Sequence, residues 1–196
     1  IIVDNGSNDN TKETVDHFSN KIKNITYIYD ESPGLHIGRH RGLLTAKSSI
    51  LVYADDDIEA FPNWLEGILE SFEDQSIALV GGKNLPKFET TPPKWILDLW
   101  KNRGNKKLIE SLSVLDLGDN IKEINPFYVF GCNFSIRKNV LLEAGGFNPD
   151  GMPKEFIKYR GDGESSVSRY ILKKGYKTLY NPKASVFHFC DSNRLN

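Results

Sequence analysis

Residues 50–59 read Ile50-Leu51-Val52-Tyr53-Ala54-Asp55-Asp56-Asp57-Ile58-Glu59, a short apolar run that ends in three consecutive carboxylates. A run of this length reads as a buried strand. Adjacent like charges at its carboxyl end repel one another unless a cation lies between them. A divalent metal is the natural cation, and an oxygen-rich site suits magnesium or manganese, which keep coordination positions for water and substrate phosphates. The triplet therefore points to an enzyme acting on a phosphorylated substrate. The competing reading is a solvated turn in which Asp56 caps a following helix, because aspartate is common at both places.

On either side, apolar runs alternate with helical patterns, the signature of βαβ units in a largely parallel sheet. Strands are expected at Ile1–Val3, Ile25–Tyr29, Ile50–Tyr53 and Ile77–Val80, with helices near Thr11–Lys21 and His36–Lys47. Pro62 suits a first helical turn, and Leu65, Ile68, Leu69 and Phe72 follow at helical spacing. Between about Leu85 and Asn125 the periodicity weakens, and Pro92, Pro93, Trp95 and Trp100 sit among charges. This stretch reads as an inserted segment or lid near an acceptor side, since long connections in compact domains are often functional. A strand is expected at Phe127–Ile136, with Gly131 inside it as a point of close approach. A short helix over Val140–Ala144, a helix carrying Val167, Tyr170 and Ile171, and strands at Lys177–Tyr180 and Ala184–His188 complete the chain.

A chain of 196 residues accommodates one well-buried domain. Its 25 lysines and arginines nearly balance 26 aspartates and glutamates, so no global basic field exists for nonspecific nucleic-acid binding and any anion site must be local. No apolar stretch approaches the roughly 18 residues of a transmembrane helix. The expectation is a cytoplasmic protein, or one peripheral to the inner face of a membrane. Cys132 and Cys190 are too few for a disulfide framework and read as reduced and structural. The chain opens inside a strand without an initiator methionine, which reads as the loss of a preceding strand and helix.

Five separated segments, in order and at matching spacing, resemble the inverting nucleotide-sugar glycosyltransferases of family 2, which have the GT-A fold. They are Val3-Asp4-Asn5-Gly6-Ser7 with Asp9 and Thr11, and Pro33-Gly34-Leu35 with Arg39 and Gly42. Asp55-Asp56-Asp57 follows, then Gly131-Cys132-Asn133 with Arg137 and Gly145-Gly146-Phe147. The last runs from Asp162 and Glu164 through Arg169, Gly175-Tyr176, Tyr180, Pro182, Ala184 and Val186 to His188. The resemblance implies a mixed, mostly parallel α/β sheet flanked by helices in one GT-A domain over 1–196, N-terminally truncated.

It also implies roles. Asp4, Asn5, Ser7, Arg39, Asp55 and Asp56 would meet the donor nucleotide, with Asp55 on the ribose. Asp57 and His188 would hold Mn2+ or Mg2+, and Asp162 would be the base. Gly131, Asn133 and Glu164 would face the sugar or acceptor. Four of these residues have a bland rival: an Asx turn for Asp4, an exposed helix position for Arg39, a helix cap for Asp162 and a structural hydrogen bond for His188. Two departures stand out, His40 where the family usually has asparagine and Gly161 where an acidic residue is common. The expected activity is transfer from a UDP- or other NDP-sugar to a glycan, lipid-linked or other hydroxyl acceptor. The alternatives are a nucleotidyltransferase, which would want a glycine-rich, lysine-bearing loop not seen here, and a noncatalytic sugar- or partner-binding relative.

Overall fold

The computed structural model describes residues 1–101, 106–149 and 163–195. The chain divides into two compact units, one formed by Ile1–Leu51 with Lys138–Val167 and the other by Val52–Arg137 with Ser168–Asn196.

In the first unit, β1 (Ile2–Asp4) and β2 (Tyr27–Tyr29) pair in parallel, Ile2 opposite Tyr27 and Asp4 opposite Tyr29, and α1 (Thr11–Ser19) connects them. Val15 buries the apolar stripe of α1. Helix α2 (Leu35–Thr45) begins after Gly34 and buries His36, Arg39 and Leu43 at helical spacing, a core-facing stripe that is two-thirds polar. Polar groups buried at that depth require partners. Helix α5 (Lys138–Glu143) ends where Gly145 and Gly146 both take positive φ and donate back to the carbonyls of Leu142 and Leu141. That left-handed ending is the usual glycine C-cap.

The second unit is built on two sheets. In the first, β5 (Ile77–Gly81) is buried along its whole length, with β10 (Asn133–Arg137) antiparallel on one side and β11 (Lys177–Tyr180) parallel on the other. A two-residue β9 (Lys122–Glu123) runs antiparallel to β11. The second sheet has the order β4 (Ile58–Ala60), β12 (Val186–Cys190), β6 (Asn84–Phe88), β8 (Val114–Asp116), β7 (Lys107–Ile109). Pro86 is tolerated in β6 because β8 pairs with that strand only at Asn84 opposite Leu115, so no ladder donor is missing at Pro86 on that side. Helix α3 (Trp64–Ser71) lies between β4 and β5 in sequence, and α4 (Lys94–Lys101) packs Ile96, Leu99 and Trp100 on a cluster with Ile109, Leu112, Val114, Cys190 and Leu195. Gly82 follows β5 where the chain passes so close to the Ala184 carbonyl that a Cβ would stand 1.8 Å from its oxygen. Only glycine fits there. Helix α6 (Ser165–Lys174) precedes β11.

Three expectations change. More of the described strand pairs run antiparallel than parallel, so the sheet expected to be mostly parallel is mixed. The strand expected over Phe127–Ile136 starts only at Asn133, because Pro126 opens a short 3-10 turn, Pro126–Tyr128, which the Asn125 side chain caps by accepting the Phe127 N–H at 3.0 Å. Gly131 therefore sits in the turn before β10. The stretch 85–125, whose pattern looked weak, carries most of β6 together with α4, β7, β8 and β9. Its strands of two to five residues are too short to show an alternating pattern.

Candidate functional site

The acidic triplet forms the turn between β3 (Ile50–Ala54) and β4. Asp56 projects into solvent, whereas Asp55 and Asp57 are half-buried. Asp56 caps no helix, since the next one, α3, starts only at Trp64 after Asn63. The rival reading of the triplet thus keeps its turn and loses its helix cap.

Asp57 is placed by the β4–β12 ladder. His188 stands opposite Ile58, and the Phe189 N–H donates to the Asp57 carbonyl at 2.9 Å. This register brings His188 Nε2 to 3.3 Å from Asp57 Oδ1. The other ring nitrogen, Nδ1, lies 2.9 Å from the Leu112 carbonyl. A carbonyl only accepts, so Nδ1 carries the proton, and in the neutral ring the Nε2 lone pair points toward the carboxylate. Asp57 Oδ1 is itself fully buried, and the His188 ring is the polar group that faces it. The gap can be filled by a proton on Nε2, which makes the contact an ion pair, or by a metal ion that takes both lone pairs. Burial alone would lower the His188 pKa, but Asp57 and the Leu112 carbonyl overcome it and push it up to about 9. The same contact holds the Asp57 carboxyl below its ordinary value.

A divalent ion fits this donor set. The carboxylate oxygen suits manganese or magnesium, imidazole nitrogen suits transition metals better than magnesium, and the partner carbonyl on the second ring nitrogen is the usual way a ligating histidine is oriented. Among the described residues no group of three or more such side chains converges, so the protein would supply two ligands and leave the rest to water and phosphate oxygens. The Leu112 carbonyl could not be found from sequence, because it is a backbone atom in the 3-10 turn Glu110–Leu112.

In the first unit, Asp4 is buried with both oxygens engaged: the Ser7 N–H donates at 2.8 Å and the Tyr27 hydroxyl at 2.5 Å. The Ser7 contact is the local turn that rivals a nucleotide role. Tyr27, not foreseen, is pushed up to about 12 by this bond and in turn lowers Asp4. Asn5 donates to the carbonyls of Asp30 and Ser32 and so ties the loop after β2. Arg39 is not the exposed helix arginine of the bland reading. It is 7 % exposed, donates to Glu164 Oε1 at 2.8 Å and lies over the Phe147 ring at 5.2 Å. Glu164 is thereby an ion-pair partner of Arg39. His40, the departure from the family pattern, accepts the Phe147 N–H at 2.9 Å.

Asn133 is corrected to a core residue. It is 1 % exposed, donates to Asn84 Oδ1 at 3.1 Å and the Ala184 carbonyl at 2.9 Å, and accepts from Trp64 Nε1 at 3.0 Å. Nothing remains for a sugar. Gly131, just before it, is buried as well. Asp162 and Gly161 lie outside the described residues.

A mixed α/β sheet flanked by helices, with an acidic turn after a strand, is the GT-A fold of nucleotide-diphospho-sugar transferases, and solved structures of that class superpose on this chain. The mannosyltransferase PcManGT of Pyrobaculum calidifontis, in complex with GDP-Man and Mn2+, matches 95% of the chain and 46% of its own at TM-score 0.63 and 17% identity. GalNAc-T7 with UDP, GalNAc and Mn2+ matches 96% of the chain and 37% of its own at TM-score 0.60 and 17% identity. The chain belongs to glycosyl transferase family 2, whose family model matches residues 1–145. A curated relative, the glucosyl-dolichyl phosphate glucuronosyltransferase of Haloferax volcanii, is 23% identical over 191 residues, covering 96% of this chain. The chain spans 58% of that relative's length. No described helix is long and apolar enough to cross a membrane.

Proposed function

We propose that the protein is a metal-dependent inverting glycosyltransferase that moves a sugar from an NDP-sugar, in first place a UDP-sugar, to a glycan or lipid-linked hydroxyl. The observation that carries this reading is the buried Asp57 Oδ1 facing His188 Nε2 at 3.3 Å at the end of the acidic turn. Asp57 and His188 hold the ion, Mn2+ or Mg2+. When bound, the ion offsets the charge that builds on the departing diphosphate, which favours the transition state over the ground state. Asp55 meets the ribose, while Asp4, held by Tyr27 and Ser7, frames the nucleoside. Arg39 and Glu164 are paired with each other within the first unit.

The reaction is a single displacement. The acceptor oxygen bonds to the anomeric carbon as the bond to the diphosphate oxygen breaks, and Asp162 takes the hydroxyl proton. Manganese complexes of the two structural neighbours and the lipid-linked substrate named for the curated relative support the metal and the acceptor class. A lipid-linked acceptor would place the protein at a membrane surface, at the cytoplasmic face.

Calorimetric titration of Mn2+ in the presence of UDP tests the reading. Asp57→Asn and His188→Gln should each weaken uptake at least about tenfold, or roughly 1.4 kcal/mol, with the fold retained by circular dichroism. Asp162→Asn should keep the ion and lose transfer. Wild-type affinity in Asp57→Asn, or NDP-sugar turnover indifferent to chelators, would refute the proposal.

A further inference from the structure

The second unit also carries an open cleft of about 520 Å3 lined by Thr90, Thr91, Pro93, Trp95, Ser192, Asn193 and Leu195. Pockets of this size hold small ligands. The lining contains no charged side chain, so it offers nothing to a phosphate or a carboxylate. It does hold three hydroxyls and an amide, and none of these four side chains has an intramolecular hydrogen-bond partner among the described residues. Hydroxyls and amides both donate and accept, which matches the alternating demands of a polyol.

Trp95 supplies the second element. It sits on the first turn of α4 beside Ile96, which is fully buried, yet Trp95 is 52% exposed. Its neighbours Ile96, Leu99 and Trp100 hold the helix to the core, so the Trp95 ring is not required for packing. An exposed indole gives a flat apolar face with one N–H donor at its edge. The far wall is rigid: Asp191 accepts the Asn193 N–H at 2.7 Å, and Glu89 accepts the Ser192 N–H at 3.0 Å. Those bonds fix the backbone and leave the Ser192 and Asn193 side chains to the cleft. The turn is also continuous with β12, the strand that carries His188.

We infer that this cleft is a subsite for an uncharged saccharide, with Trp95 as the stacking platform and Thr90, Thr91, Ser192 and Asn193 as hydroxyl partners. As an acceptor subsite it rests on the transferase reading; as a saccharide site it stands on the cleft alone. An array of neutral oligosaccharides probed with the intact chain tests it. The wild-type chain should be retained on a subset of saccharides, and Trp95→Ala should weaken that retention roughly 10- to 30-fold, the usual loss when an aromatic anchor is truncated. Asn193→Ala should weaken it less, with unfolding midpoints unchanged in both variants. Absence of any retained saccharide, or equal retention by Trp95→Ala, overturns the inference. So does a Trp95→Ala chain that loses only sedimentation with anionic phospholipid vesicles, which would make the ring a membrane contact. Saccharide retention without NDP-sugar turnover supports the subsite while sinking the transferase reading.

Discussion

Replacing Asn133 by alanine separates a packing role from a substrate role. The substitution removes an amide that satisfies the Asn84 Oδ1 and the Ala184 carbonyl, and it takes the acceptor from the Trp64 indole N–H. Asn84 is only 2 % exposed, so its oxygen cannot turn to bulk water, whereas Trp64 is half-buried and its N–H can. Two buried acceptors deprived of donors cost about 1–3 kcal/mol each, and a water entering the vacated space would recover part of that. A net loss of about 3 kcal/mol is expected. For a chain of this size that lowers the melting temperature by roughly 6–12 °C. Urea unfolding followed by tryptophan fluorescence measures it, and Trp64 reports from inside the network. Transfer activity per folded molecule should stay near wild type. A destabilisation below about 1 kcal/mol, or a folded variant with raised acceptor KM, would refute the placement of Asn133 in the core network.

Three further outcomes are expected. The Asp30 carboxyl is held down to about 2 by hydrogen bonds from Ser32 and then Arg41, against an ordinary 3.8. A depressed carboxyl contributes stability above its unfolded value that is lost as pH falls through the folded one. Acid unfolding of wild type should therefore steepen between pH 3.8 and about 2, and Asp30→Asn should flatten that window. Gly82→Ala drives a methyl to 1.8 Å from the Ala184 oxygen and should yield no soluble folded chain. Gly42→Ala, in α2 with nothing within 4 Å, should instead stabilise by about 0.5–1 kcal/mol, read as a raised melting temperature.

The alternation of apolar runs and helical stripes was enough to find β1, α1, α2, β5, α3, α6 and β11, because each is long enough, or apolar enough, to show its period. It failed from Leu85 to Asn125, where β7, β8 and β9 span only two or three residues and take their stability from neighbours such as β6 and β11. The site divides in the same way. Asp57 and His188 stood out by pattern, but their meeting depends on a ladder register and on the Leu112 carbonyl, neither of which a side-chain pattern encodes. Asn133 misled for an instructive reason. A polar residue within a family pattern can serve a buried hydrogen-bond network as readily as a ligand. Arg39, expected on the donor nucleotide with an exposed helix position as the rival, is instead buried against Glu164, 125 positions away, a pairing that no local pattern encodes.

The Asp57–His188 pair also sets an order of events during synthesis. The acidic triplet leaves the ribosome early, whereas the imidazole emerges about 130 residues later, at the start of the last few per cent of this sequence. At roughly 5–20 residues per second that interval is on the order of ten seconds. During it the triplet has no nitrogen partner and β12 is absent from its sheet. A nascent chain therefore cannot close this pair prematurely, and cleavage that removes β12 would dismantle it while the three aspartates of the turn remain in place.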